Sequence, residues 1–157
     1  MKHTFAFLAF VCCVVFALPS WASAACPQLA GRYMCPTETS EAEMLVQQKS
    51  IDGVEVYTFT VNHEPTDYIT DGQTRTSIEE GEGDTVAVFE VTSTCEPDGR
   101  LRVRAEQTEK EASGSEIMNA VVTQILAKNR IGIEIEAYFS INRTPEQRGV
   151  IQCRDVN

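Results

Sequence analysis

Residues 131–141 read IGIEIEAYFSI, and the spacing of their apolar side chains decides the fold class. Ile131, Ile133, Ile135, Ala137, Phe139 and Ile141 take every odd position, while Glu134, Glu136, Tyr138 and Ser140 lie between them. In an extended chain successive side chains point to opposite faces, so this stretch predicts a strand with one apolar face and one wet face. A sheet buried on one side only is antiparallel.

The same period recurs upstream. Residues 101–107 set Leu101, Val103 and Ala105 opposite Arg102, Arg104 and Glu106, and residues 85–94 set Ala87, Phe89 and Val91 opposite Glu90, Thr92 and Thr94. Residues 54–61 and 32–35 are weaker strands. Asp52-Gly53, Asp71-Gly72 and Asp98-Gly99 lie beside these segments, and Asp-Gly tolerates the positive φ angles of two-residue hairpins. The expected fold is therefore mainly β, an antiparallel meander forming a small barrel or sandwich. One segment departs from the period of two. Across residues 115–130, Met118, Val121, Val122, Ile125 and Leu126 recur at helical spacing, Ser115 stands as a cap and Lys128 and Arg130 near the far end, which predicts one helix near 116–128. The β-branched Val121 and Val122 make a strand the alternative.

Residues 1–24 have the three parts of a secretory signal: Lys2 and His3, an apolar run over residues 5–18, and the small-residue pattern Ala22-Ser23-Ala24. The run is too short for a bilayer-crossing helix, which needs about 20 apolar residues, so no transmembrane anchor is expected in the mature chain. Residues 25–157 are expected to form one disulfide-stabilised β domain, secreted or periplasmic. Acidic side chains outnumber basic ones 23 to 13, for a formal net charge of -10, which argues against nucleic acid and anionic membrane surfaces as partners.

Cys12 and Cys13 leave with the signal. Cys26, Cys35, Cys95 and Cys153 remain, an even number that reads as two disulfides in an exported chain. Their spacing lacks the close pairs a zinc site uses. A lipid-anchored Cys26 is the competing reading and would strand an odd thiol. Four cysteines allow three pairings, and the strand pattern by itself does not choose among them.

Chemistry-bearing residues are sparse. His63 is the sole imidazole after the signal, so no two-histidine metal site is possible, and no nucleophile elbow or phosphate-binding glycine loop is present. Glu134 and Glu136, two residues apart on one strand face, have the spacing of a carboxylate pair, but a solvated face beside Arg102 and Arg104, with cross-strand ion pairs, is the better reading. Glu79, Glu80, Glu82 and Asp84 read as a charged loop without the spacing of a calcium loop. No catalytic residue, metal set or cofactor is assigned.

The strand meander with a helix before its last strands, entered through Gly31-Arg32-Tyr33, resembles the lipocalin-like barrels, whose first strand opens with Gly-x-Trp; Tyr33 stands at the Trp position. The resemblance implies a closed barrel with an apolar pocket. Phe89, Val91, Val103, Ile133, Ile135 and Phe139 are the side chains that would line it and hold a small apolar ligand. In a closed barrel the first and last strands pair, which implies bridges Cys26–Cys153 and Cys35–Cys95. The competing function is a protein-interaction module such as a protease inhibitor or an envelope or host-surface binder; an enzyme is the third.

Overall fold

A computed structural model describes residues 25–80 and 84–156. Residues 1–24, read above as a secretory signal, and Glu82 of the acidic loop lie outside them. Ten strands make up the fold: β1 Gly31–Pro36, β2 Glu41–Ile51, β3 Val54–Val61, β4 Glu64–Ile69, β5 Arg75–Glu80, β6 Thr85–Cys95, β7 Leu101–Glu111, β8 Glu116–Lys128, β9 Gly132–Ile141 and β10 Gln147–Asp155. They form one antiparallel sheet in the order β4-β3-β2-β1-β10-β9-β8-β7-β6-β5, curled into a half-barrel.

The first and last strands do adjoin, so the chain winds outward in two arms from the β1–β10 seam. Residues 52–53 turn β2 into β3 with positive φ at both Asp52 (52°) and Gly53 (80°), as an Asp-Gly hairpin requires. Asn62 and His63 turn β3 into β4 the same way, with φ of 52° and 69°. Asp71-Gly72 is not a hairpin. It carries the chain from one edge of the sheet to the other, where Asp71 bridges Thr94, the Gly72 N–H donates to the Ser93 carbonyl at 3.2 Å, and the Ser93 hydroxyl donates to the Ile69 carbonyl at 2.9 Å. The two sheet edges thus meet at one end of the half-barrel only.

The expected helix near 116–128 is a strand. β8 is flanked along most of its length by β7 and β9, with Leu101↔Leu126↔Ile135 and Ala105↔Val122↔Phe139 in register. The helical apolar set divides between the two faces: Met118, Val122 and Leu126 lie on the concave face, Val121 and Ile125 on the convex one. Val121, Val122, Thr123 and Ile125 are β-branched, and from Ala120 to Leu126 pairing on both edges satisfies the backbone groups that a helix would have satisfied internally.

The disulfides pair Cys26 with Cys95 and Cys35 with Cys153, which corrects the expected Cys26–Cys153 and Cys35–Cys95. β1 and β10 do pair, but it is Cys35, on β1 itself, that lies opposite Cys153. Tyr33↔Asp155 and Met34↔Arg154 bring Cys35 across from Cys153, with Cα atoms 4.2 Å apart. Cys26 lies before β1, and residues 25–30 carry it to the end of β6.

The core packs inside the curve around Leu29, Tyr33, Met44, Val46, Tyr57, Phe59, Leu101, Leu126 and Ile133. Residues 25–30 seal one end. Leu29 is fully buried, its N–H donates to Gln48 Oε1 at 3.0 Å, and the Pro27 carbonyl accepts the Tyr57 hydroxyl at 2.7 Å. The buried Tyr33 hydroxyl donates to the Leu29 carbonyl and receives the Lys128 ammonium, both at 2.8 Å. The opposite end, where β3 turns into β4 and β8 and β9 run on beyond the core, has no such cover among the described residues.

Candidate ligand groove

The uncovered end holds a groove of about 350 Å³. Met44 of β2, Phe59 and Val61 of β3, Tyr68 of β4, Leu126 of β8 and Ile135 of β9 give it apolar walls, and Asn62, Glu64, Thr66 and Gln124 supply polar atoms. Each wall residue is there because of strand parity. Met44↔Val61, Phe59↔Thr66 and Leu126↔Ile135 are register partners, and partners in an antiparallel pair share a face. The floor is core: Met44, Phe59 and Leu126 are all buried. Phe59 meets Tyr68 edge-on with ring centroids 5.4 Å apart, a geometry that fixes the Tyr68 ring as a wall. Burial raises the Tyr68 hydroxyl above its ordinary pKa, so it faces the groove as a neutral phenol at neutral pH.

Of the six side chains expected to line a pocket, the sheet places all on the concave face, but only Ile135 reaches the groove. Val103 and Ile133 are buried core, and Val91 packs against that core. Phe89 and Phe139 stand further along the same face, opposite Gln107 and Val122, and Phe139 is 38% exposed. Met44, Phe59, Val61, Tyr68 and Leu126 carry the groove instead. The alternation Tyr57-x-Phe59-x-Val61 is the signal for two of those five, Phe59 and Val61. Leu126 was hidden in the helical reading.

The convex face is an array of ion pairs. Glu136 accepts hydrogen bonds from the Tyr138 hydroxyl at 2.7 Å and from Arg148 at 3.1 Å, and these hold its carboxyl below the usual range, the tyrosine first. Arg102 pairs with Glu96 and Arg104 with Glu106, so neither reaches Glu134 or Glu136 as expected. The arginines of these pairs reach solvent, and each pair is worth about 0.2 to 1 kcal/mol. Among the described residues no group of three or more His, Cys, Asp or Glu is placed to hold a metal ion, and no helix is long and apolar enough to cross a membrane.

Fold and groove together define an all-β antiparallel half-barrel, one end sealed by residues 25–30 and the other open. The two bridges are compatible with an oxidising compartment. Compared with known protein families, with curated proteins and with solved structures, the chain matches none.

Proposed function

We propose that the protein is an exported, lipocalin-like binding protein that holds a small, mostly apolar ligand in the groove at the open end of the half-barrel. The groove itself carries this reading: a concavity whose floor is a packed core, whose walls are aromatic and aliphatic, and whose polar groups are Asn62, Glu64, Thr66 and Gln124. That is the composition of small-molecule sites, in which apolar walls provide affinity and sparse polar atoms fix orientation. In this reading the chain is cleaved after Ala24 and the sealed end is scaffold.

Titration with 1-aminoanthracene, a neutral aromatic probe whose fluorescence rises in apolar surroundings, tests it. Gln124→Trp fills the groove from β8 without touching the buried floor, and it weakens probe binding at least tenfold. Val150→Trp, on the convex face where Val150 is already exposed, leaves binding unchanged. Equal binding by both variants and the parent protein would place the probe elsewhere and refute the proposal.

A further inference from the structure

β4 and β5 are the two end strands of the sheet, so each has one edge without a strand partner. They diverge from the Asp71–Thr94 bridge and leave a cleft of about 210 Å³, walled by Asp67, Tyr68 and Ile69 on one side and by Arg75 and Ser77 on the other, with Val91 at its base. It lies across Tyr68 from the ligand groove.

Strand parity says what β4 offers to this cleft. The Thr70 N–H donates to the Glu55 carbonyl at 3.0 Å, so, counting back by two along the register, Tyr68 and Thr66 are the residues whose backbone groups turn towards β3. Pro65, Asp67 and Ile69 turn theirs away. At the closed end this outward edge is already used: the Ile69 carbonyl accepts the Ser93 hydroxyl. Further out, the Asp67 N–H and carbonyl and the Pro65 carbonyl have no partner among the described residues. An outward N–H and C=O spaced along an extended edge form the template for adding a strand.

We propose that this edge of β4 pairs with an extended, cationic segment of a partner protein, inserted between β4 and β5. The charge on the two edges selects the partner. Glu64 and Asp67 lie on β4, and Glu79 and Glu80 on β5. The one cation there, Arg75, is engaged by Asp71 through hydrogen bonds of 3.0 and 2.7 Å. Lysine or arginine side chains on an incoming strand meet carboxylates on both sides. A second copy of this chain, formal charge -10, would instead bring acidic edge against acidic edge. Ile78, 69% exposed at the middle of β5, offers an apolar contact to the same segment.

A fluorescein-labelled heptapeptide of alternating lysine and valine tests the proposal by anisotropy, with hydrogen exchange as the structural readout. The peptide binds, and at saturation exchange of the Asp67 amide slows at least tenfold. N-methylation of alternate peptide residues abolishes binding. Asp67→Pro removes the outward N–H at a position type that Pro65 already occupies, and it weakens binding at least tenfold. Asp67→Asn, which keeps the backbone donor and alters only charge, costs about threefold. Binding that survives N-methylation, or that leaves the Asp67 amide unprotected, is charge adhesion without strand pairing and overturns the proposal. Protection of the same amide by self-association, or equal binding of a glutamate–valine peptide, overturns the choice of partner. The N-methylated peptide and the exchange measurement use the unaltered protein, so they decide the matter even if Asp67→Pro fails to fold.

Discussion

Removing the seam disulfide, as Cys35→Ala with Cys153→Ala, is expected to cost more than any single core substitution. The bridge spans 118 residues of sequence. In the chain-entropy account, a loop of that length in the unfolded state is worth about 4.9 kcal/mol at 25 °C, and the Cys26–Cys95 loop of 69 residues about 4.4 kcal/mol. Alanine rather than serine keeps a hydroxyl out of the site, because Cys153 is fully buried. Either loss is comparable with the whole stability of a marginal domain, about 5 to 15 kcal/mol. At a urea dependence of up to about 3 kcal/mol per molar, the midpoint of unfolding falls by about 1.6 M or more. Equilibrium urea denaturation followed by tryptophan-free far-ultraviolet circular dichroism reads this directly, since the only Trp, Trp21, precedes the domain. Each matched pair replaced together leaves the other bridge intact, so denatured protein releases no free thiol. A loss under about 1 kcal/mol would show that the unfolded chain is already held compact and that the entropic reasoning fails. A non-reducing map containing a Cys26–Cys153 peptide would refute the pairing.

Three further outcomes follow from particular contacts. Tyr57→Phe leaves the Pro27 carbonyl buried without its donor and costs about 1 to 3 kcal/mol by denaturant unfolding, loosening residues 25–30 in hydrogen exchange. Gly132→Ala drives a Cβ into the backbone of Cys153 and Asp155 on β10; an overpacking cost of about 3 kcal/mol lowers Tm by roughly 10 °C, whereas Gly149→Ala, with open space above it, does not. The hydrogen bonds from Arg75, then the Gln73 amide, hold the Asp71 carboxyl at about 2 against an ordinary 3.8. Because the folded value is the lower, its contribution is complete above pH 3.8 and disappears as pH falls through 2, and Arg75→Met returns the carbon-detected titration of Asp71 towards 3.8.

The strands that alternate strictly were legible in the sequence because one face is core and the other is wet. Residues 131–141 gave β9 and residues 54–61 matched β3. β2 was not, since Met44, Leu45 and Val46 are consecutive apolar residues with no period of two. β4 and β5 were invisible for the opposite reason: on their concave face stand Glu64, Thr66, Arg75 and Ser77, so no alternation of hydrophobicity marks an edge strand open to water. β8 misled because apolar side chains on both faces of a strand paired on each edge can fall at helical spacing by coincidence. The groove inherited these blind spots. Its Ile135 came from the clearest strand, while Met44 and Tyr68 came from strands the sequence did not announce, and a site assembled across register pairs appears only once the register is known.

The central claim is that the open end of the half-barrel binds a small apolar ligand, and the most direct measurement is the set of intermolecular nuclear Overhauser effects between 1-aminoanthracene and the methyl groups of the isotopically labelled protein. The account predicts contacts to Met44, Val61, Leu126 and Ile135, with none to the convex Val150 or to Ile78 on the far edge strand. Contacts to Val150 or Ile78 in place of the groove methyls, or saturable binding that touches none of the four, would contradict it.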